Sequence, residues 1–398
     1  MAKPAYWIGS AYLLLCALAL GAYLIVGSIG YAPLPLPFGA ARNPIVVTIW
    51  HGTEKRAWLT AAAQQFNAGD PRIGGRPLRI ELIGIDSREM ALRAAHEEWR
   101  TTPPPTVVSP ASRVWLDLLS AEWAARNRNA RPIVADGTDA PQSLAYSPLV
   151  ALIWSERAAV LLPDGSANMW RNLHAAIADP AGWQARGGRA EWGFVKLGHT
   201  SPLSSNSGTQ ALLLMAYGYY GTTSGLGPAQ LTDPAFRQWL ATIERAVLGF
   251  DENTGTLITN MVQYGPSRYD MVLVYEHLAI EYLEAARNRW GDLTLIYPPA
   301  TSMSDHPYAM LDAPWISAEQ REGARMFRSF LLGRPQQEVA LLRFGFRPAN
   351  AGVPIVNDDP DNPFNRYQRF GVGTDVAGQV ETPSPEILAI LLEAWQQR

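Results

Sequence analysis

Short apolar runs alternate with segments of helical periodicity between residues 45 and 125. Residues 45–50 (IVVTIW) are rich in β-branched side chains, and Trp58, Ala62 and Phe66 then recur at helical spacing. The same order repeats twice more, giving predicted strands at 45–50, 78–85 and 105–108 and predicted helices at 54–67, 87–100 and 114–125. Strands that alternate with helices predict an α/β fold with a mostly parallel sheet covered on both faces.

A second region, residues 151–303, has its own apolar pattern. It is entered through the apolar run 149–154, and residues 209–220 are apolar nearly all round, as expected for a buried helix. Ser317 and Gln320 stand at capping-box spacing at the start of another predicted helix. The remaining pattern predicts strands at 270–275 and 293–297, a return to the first lobe through 306–315, and helices at 317–332, 335–342 and 384–397. We therefore predict an N-terminal part of residues 1–41, a first lobe of residues 42–150 and 304–398, and a second lobe of residues 151–303.

Residues 5–29 form an almost unbroken apolar stretch without a charged side chain. About 20 apolar residues cross the roughly 30 Å of bilayer hydrocarbon as a helix, so the stretch predicts one transmembrane anchor. Lys3 precedes it and Arg42 is the first charge after it, which places the N-terminus in the cytoplasm and the folded part outside, either periplasmic or at the cell surface. The proline-rich residues 31–39 predict an extended stalk.

Two other interpretations of this stretch export the folded part equally well. A cleaved secretory signal normally has an apolar core of about 7–15 residues, shorter than this one, and Pro33 is a poor context for cleavage. Lipidation of Cys16 is the third interpretation, although Leu15 stands where a small residue is expected before a lipidated cysteine. We prefer a retained, single-pass anchor.

Length and charge narrow the functional classes. The chain has 398 residues, more than one compact core usually covers, which supports two lobes. Its 33 basic and 36 acidic residues give a net charge of −3, so it offers no broad basic face to a polyphosphate backbone. We therefore expect no nucleic-acid partner. Cys16 is the only cysteine, so the sequence allows no intramolecular disulfide.

The sequence lacks the motifs of the common enzyme and cofactor classes. It contains no G-x-S-x-G, H-E-x-x-H, C-x-x-C, Walker or G-x-G-x-x-G motif, and no two of its six histidines stand at metal-ligand spacing. We therefore predict no catalytic activity, no cofactor and no metal. An exported hydrolase is the least favoured alternative, because distant Ser, His and Asp residues can be grouped in any chain of this length.

Hydroxyl and amide side chains gather where predicted strands end and where one helix begins. Residues 51–54 (HGTE) follow the first strand, 109–112 (SPAS) follow the third, and 204–207 (SSNS) crowd the start of the helix at 209–220. Neutral donors of this kind surround a small anion or polar solute well, because oriented N–H and O–H dipoles replace its hydration shell. The alternative is that the serines only cap the helix, although capping needs only one of the four residues.

Five segments, in this order, resemble a known family. They are 51–55 (HGTEK) after the opening strand, 107–112 (VVSPAS), 198–208 (GHTSPLSSNSG), 274–276 (VYE) and 341–350 (LLRFGFRPAN). Together they resemble type II extracytoplasmic solute-binding proteins of ABC transporters, nearest to the molybdate-binding-like group. The resemblance implies a two-lobe, periplasmic-binding-protein-like type II fold that closes by hinge bending on a small polar solute and delivers it to an ABC permease.

The resemblance also implies which residues hold the solute. In oxyanion-binding relatives, hydroxyls and amides after the first and third strands and at the start of a second-lobe helix coordinate the ligand, and a tyrosine helps. The corresponding residues here are Thr53, Ser109, Ser207 and Tyr275, and around them His51, Ser205, Asn206 and Glu276 are expected to line the cleft.

Two glutamates complicate an oxyanion site, because a carboxylate repels an anion. Glu54 and Glu276 flank the implied positions. Either they pair with neighbours such as Lys55 or Arg56, or the solute is cationic or zwitterionic. A tethered sensor or interaction module of a membrane complex, whose cleft has lost its ligand, is the alternative to solute uptake.

Overall fold

The strands form where the apolar, β-branched runs lie in the sequence. The computed structural model of the protein describes residues 43–127 and 131–397. The strands are β1 (Ile45–His51), β2 (Arg72–Ile73), β3 (Arg76–Gly84), β4 (Val107–Ser109), β5 (Gln142–Ser143), β6 (Ala145–Trp154), β7 (Leu197–Gly198), β8 (Met271–Tyr275), β9 (Leu293–Ile296), β10 (Met303–Ser304), β11 (Pro307–Met310) and β12 (Arg347–Pro348). Each predicted strand overlaps one of these.

A helix lies at each of the seven predicted positions, and further helices that were not predicted lie between them. The helices are α1 (Arg56–Ala68), α2 (Ser87–Ala95), α3 (Val114–Arg126), α4 (Ser155–Leu161), α5 (Met169–Ala178), α6 (Asn206–Tyr220), α7 (Pro228–Leu231), α8 (Pro234–Glu244), α9 (Thr254–Tyr264), α10 (Glu276–Arg287), α11 (Ala318–Leu332), α12 (Arg334–Phe344), α13 (Pro363–Arg366) and α14 (Pro385–Gln396). The predicted capping box is present, because Gln320 N–H donates to Ser317 Oγ at 3.1 Å and Ser317 N–H donates to Gln320 Oε1 at 2.9 Å. Helix α6 begins three residues earlier than predicted. A Cβ at Gly208 would lie 2.1 Å from the Thr200 carbonyl oxygen, so only glycine permits this close approach.

The first sheet has the strand order β2-β3-β1-β4-β11-β5. Its centre matches the predicted parallel arrangement, because β1 runs parallel to both β3 and β4. The remaining pairs are antiparallel: β2 with β3, β11 with β4, and β11 with β5. The sheet is therefore mixed and not mostly parallel as predicted, because β11 runs opposite to β4 and β2 runs opposite to β3. Strands β3, β1 and β4 direct their carboxyl ends to the same edge.

The second sheet is mostly antiparallel. Its order is β10-β6-β8-β7, with β9 and β12 also paired to β6. Only β7 and β8 are parallel; β6 is antiparallel to β8, β9, β10 and β12. The long strand β6, which follows directly on the first sheet, therefore sets the antiparallel arrangement of its four neighbours, for which the sequence analysis predicts no direction.

The chain passes between the two sheets at two neighbouring points. It leaves the first sheet between β5 and β6, at Leu144, and returns between β10 and β11, at Asp305 and His306. The two crossings touch, since Leu144 N–H donates to the His306 carbonyl oxygen at 3.2 Å. His306 has a left-handed φ of 39°. Two adjacent crossings agree with the two-lobe fold that the resemblance implies. The predicted lobe boundaries, after residues 150 and 303, stay a prediction.

The two apolar clusters of the core do not correspond one to each sheet. A smaller cluster, which includes Trp58 and Phe327, covers the α1 and α11 side of the first sheet. A larger cluster joins Trp115 of α3 to Leu273 of the second sheet and to Leu391 of α14. Apolar packing therefore links elements of both sheets.

The predicted membrane anchor at residues 5–29 lies outside the described residues. Within residues 43–127 and 131–397, no helix combines the length and the apolar character needed to cross a bilayer. The anchor therefore stays a prediction from the sequence.

Candidate functional site

The first predicted site residues lie at the carboxyl ends of β1 and β4. His51 and Ser109 end these two parallel strands and lie opposite each other in register. Gly52 N–H donates to the Ser109 carbonyl oxygen at 3.0 Å, and Thr53 begins the 3-10 turn after β1. The Ser109 side chain is fully buried, and its Oγ has no hydrogen-bond partner in the described part of the chain. A buried hydroxyl without a partner is uncommon and calls for an explanation.

The second group lies at the N-terminus of α6. Ser205 precedes the helix in an extended conformation, but its side chain caps no backbone N–H. Its Oγ lies instead 3.2 Å from Ser207 Oγ, which also lies 2.8 Å from Thr200 Oγ1 and 2.6 Å from Thr254 Oγ1. Because Thr254 is the first residue of α9, the N-termini of α6 and α9 meet at this hydroxyl cluster. Their positive dipole ends therefore point to one place.

Asn206 links elements of the two sheets. Its Oδ1 accepts hydrogen bonds from Ser112 Oγ at 2.5 Å and from Trp115 Nε1 at 2.6 Å. Its Nδ2 donates to Tyr275 Oη at 2.9 Å and to Ser304 Oγ at 3.3 Å. Ser112 and Trp115 follow β4 of the first sheet, whereas Tyr275 and Ser304 belong to the second sheet. One buried side chain thus joins the two halves and directly contacts the predicted site residue Tyr275.

Glu54 forms a buried ion pair with its neighbour Lys55. Lys55 Nζ lies 2.6 Å from Glu54 Oε1 and donates to the Pro110 carbonyl oxygen at 3.1 Å. His306 Nδ1 lies 3.3 Å from the same Glu54 oxygen. Burial by itself would raise the pKa of Glu54, but Lys55 and His306 hold it well below its usual range. Burial lowers the pKa of Lys55 despite the opposing effect of Glu54.

Glu276 pairs with a cation from β12. Arg347 Nε donates to Glu276 Oε2 and Nη2 donates to Oε1, both at 2.7 Å, and the Tyr297 hydroxyl donates to the same carboxylate. Burial raises the pKa of Glu276 although Arg347 opposes this shift. Glu54 and Glu276, the two carboxylates expected to repel an oxyanion, are therefore each paired with a cation. The sequence indicated Lys55 as a partner but did not indicate Arg347.

His51, His277 and Tyr275 are uncharged at pH 7. Burial lowers the pKa of His51 to about 4 and, together with His306, that of His277 to about 3. Burial raises the pKa of Tyr275 well above its usual value. In the described residues, no group of three or more His, Cys, Asp or Glu side chains is arranged to hold a metal ion. The arrangement offers hydroxyl, amide and imidazole dipoles, and the charges of Glu54 and Glu276 are paired.

Several residues at this site were missed by the sequence-based prediction. Thr254 follows Asn253, whose side chain caps α9 by accepting from Thr256 N–H at 3.0 Å, and an Asn-x-x-Thr pattern is a detectable helix start. Ser112 belongs to the same turn as Ser109. No local signal marks Trp115 or Ser304, because their role depends on contacts with a residue about 90 positions away.

Comparison with known proteins finds one matching family model. A family model described as bacterial extracellular solute-binding protein matches residues 47–347. Among curated proteins, none matches the chain.

Solved structures share the fold across most of the chain. A periplasmic thiamin binding protein aligns with a TM-score of 0.60 and 13% identity, covering 92% of this chain and 99% of that one. The ferric binding protein from Campylobacter jejuni gives 0.55 and 11%, covering 88% and 98%. The sulfate-binding protein SubI from Mycobacterium tuberculosis gives 0.54 and 16%, covering 87% and 96%. At these identities the likeness concerns the fold alone.

Proposed function

The chain belongs to the family of bacterial extracellular solute-binding proteins, and on this premise we propose that it captures a small polar solute between its two lobes for uptake by an ABC permease. The family consists of binding proteins, so the prediction that the chain is not an enzyme is confirmed. We further propose that it works outside the cytoplasm, held at the cell membrane by residues 5–29.

The unpartnered hydroxyl of Ser109 carries this proposal. A buried polar group without a hydrogen bond costs about 1–3 kcal/mol, and a solute that supplies the bond would remove this cost on binding. Ser109 ends β4 beside His51, at the strand edge where α/β sheets bind ligands. The proposed ligands are Thr53, Ser109, Ser207 and Tyr275, surrounded by His51, Ser205, Asn206 and Glu276.

The pairing of the two glutamates makes an oxyanion compatible with this site. Glu54 and Glu276 are each neutralised by a basic side chain, so neither presents a free carboxylate to attract a cationic solute. Hydroxyl donors and two helix N-termini stabilise an anion without a full positive charge. The named ligands of the three similar structures are sulfate, thiamin and ferric ion, so the shared fold does not choose among them.

A thermal-shift screen followed by Ser109→Ala tests the proposal. The full chain is heated with sulfate, molybdate, phosphate, amino acids, sugars or metal ions, and the solute it binds raises its Tm. Ser109→Ala should then weaken binding about tenfold by calorimetry, while raising the free energy of unfolding of the solute-free protein by about 1–3 kcal/mol, because the substitution removes the unpartnered hydroxyl.

The matched control is Ser120→Ala on α3, whose Oγ donates to the Leu116 carbonyl oxygen within its own helix. It should leave the affinity unchanged. An affinity of Ser109→Ala equal to that of the unaltered protein would remove Ser109 from the site, and a screen in which no solute raises the Tm would contradict solute capture.

Cell fractionation tests the proposed tether. If residues 5–29 are retained as an anchor, the protein in its native host should sediment with membranes at full length, and detergent should release it. N-terminal sequencing gives the measurement. A soluble product that begins near Pro33 would show that the stretch is a cleaved signal.

A further inference from the structure

A cavity of about 550 Å³, the α5 cavity, lies among helices α5, α6 and α8. This volume is within the range of about 300–1,000 Å³ that small-molecule sites occupy. Its walls come from the first half of α5 with residues 167–168, the C-terminal half of α6 with residues 221–223, Trp239 of α8 and residues 299–300. A helix rises about 1.5 Å per residue, so Gly218 in this wall lies about 16 Å along α6 from Ser207 of the candidate site. The α5 cavity is therefore separate from the candidate site.

Trp170 of α5 is almost completely buried beneath the α5 cavity, with 4% of its surface exposed. A Cβ at Gly218 would lie 2.1 Å from Trp170 Cδ1 and 2.6 Å from Nε1, so only glycine lets the indole edge lie against α6 here. Glycine inside a helix is less favourable than alanine by about 1 kcal/mol. Gly218 itself is exposed and lines the cavity, so the indole Nε1–H lies beside the cavity.

Donor groups at the start of α5 lack hydrogen-bond partners in the described part of the chain. Trp170 Nε1–H donates to no other group there, although a buried indole N–H usually has a partner. The Arg171 guanidinium has neither a hydrogen bond nor an ion pair with any described residue. The Asn168 side chain caps no N–H of α5, so the positive end of the helix dipole is also uncompensated. All three residues line the α5 cavity.

Aromatic rings form the wall opposite these donors. The rings of His174 and Trp239 are stacked, with centroids 5.5 Å apart and planes 9° apart. Tyr219 packs on Trp239 with its ring centroid 5.2 Å away and tilted by 55°. Aromatic faces and edges of this kind favour a flat ring in the ligand, because offset and edge-to-face ring pairs are the stable arrangements.

The charges around the α5 cavity favour an anion. None of the described residues that line it is an Asp or a Glu. Burial, and then Arg245, lower the pKa of His174, so its imidazole is neutral at pH 7 and Arg171 supplies the positive charge of the wall. The Glu381 carboxylate, which lies near Tyr217, accepts a backbone N–H at 2.9 Å. A ligand with one negative charge therefore matches the wall.

We propose that the α5 cavity is a second ligand site, which binds a small aryl carboxylate independently of the solute in the cleft. The carboxylate accepts hydrogen bonds from the Arg171 guanidinium and from Trp170 Nε1–H, and the aryl ring packs against Tyr219 and Trp239. Arginine suits this role because its planar guanidinium matches the geometry of a carboxylate. The proposal does not rest on the proposed function.

Calorimetry on the full chain tests the ligand class. The probes are benzoate, 4-hydroxybenzoate and 1-naphthoate, with the corresponding neutral amides and acetate as matched compounds. At least one aryl carboxylate should bind about tenfold or more tightly than its amide, which lacks the charge, and than acetate, which lacks the ring. Binding of none of the three acids, or equal affinities of acid and amide, would overturn the proposal.

Two substitutions test the donors. Arg171→Gln should weaken binding of the aryl carboxylate about tenfold, and Trp170→Phe, which keeps an aromatic ring but removes the N–H, about fivefold. Trp239→Leu removes part of the aromatic wall, should also weaken binding, and serves if Trp170→Phe folds poorly. Arg186→Gln is the control, because it makes the same change in net charge at a residue that does not line the cavity. An unchanged affinity in Arg171→Gln would refute the site.

Ser109→Ala distinguishes the α5 cavity from the cleft. It should leave the affinity for the aryl carboxylate unchanged, because Ser109 belongs to the candidate site at the other end of α6. A loss of affinity in Ser109→Ala, with none in Arg171→Gln, would place the carboxylate in the cleft and contradict a second site. If the thermal-shift screen finds no solute for the cleft, the proposed function fails, while these measurements still decide whether the α5 cavity binds a ligand.

Discussion

Arg347→Met is expected to lower the free energy of unfolding by about 3–5 kcal/mol, because it leaves the fully buried Glu276 carboxylate without its cation. The expected loss of unfolding free energy exceeds that from breaking the ion pair with Glu276 alone. Arg347 also donates to the carbonyl oxygens of Gly373 and Thr374 at 2.9 and 2.7 Å, so the substitution releases these two residues from β12. Urea unfolding followed by circular dichroism gives the measurement.

The control is Arg334→Met, which breaks the exposed pair with Glu338 and should cost less than about 1 kcal/mol. The double variant Glu276→Gln with Arg347→Met should recover part of the loss, since no buried charge is left unpaired. A loss below about 1 kcal/mol in Arg347→Met would mean that water reaches Glu276 and that Arg347 does not hold the C-terminal residues in place.

Asn206→Leu is expected to weaken solute binding by about 100-fold or more, which corresponds to roughly 2.7 kcal/mol. Leucine has a similar volume but makes none of the four hydrogen bonds that Asn206 forms with the two lobes. In the closed protein Ser112, Trp115 and Tyr275 would each lose a partner, so closure over the solute becomes unfavourable. Calorimetry with the solute found by the screen provides the measurement.

Gln210→Leu is the matched control, because Gln210 lies one turn further along α6 and bonds only to Ser304 among the residues that Asn206 contacts. It should reduce the affinity by less than about tenfold. An Asn206→Leu protein that binds within threefold of the unaltered protein would show that the link between the lobes is not needed for capture.

Local patterns in the sequence were enough to predict the strands and helices that position the site. The apolar run of β1 and the helical spacing of α1 are properties of consecutive residues, and the capping box at Ser317 is a four-residue signal. The neighbourhood of His51 and Ser109 followed from the rule that parallel strands end at one edge.

Contacts between distant residues could not be predicted in this way. Glu276 and Arg347 are separated by 71 positions, and nothing around either residue indicates the other. The antiparallel second sheet escaped prediction for a related reason. Apolar runs indicate burial, but a fully buried strand carries no alternation from which its direction can be inferred.

The side-by-side ends of β1 and β4 limit the size of the solute group that they can both contact. His51 and Ser109 sit side by side on strands whose axes are about 4.8 Å apart, a spacing that the backbone imposes on any sheet. A solute group that contacts both His51 and Ser109 can therefore be only a few atoms wide, comparable to a tetrahedral anion or a single carboxylate. The spacing of the strands therefore limits the size of the group that can contact both strand ends. In a larger solute, most atoms must lie beyond His51 and Ser109.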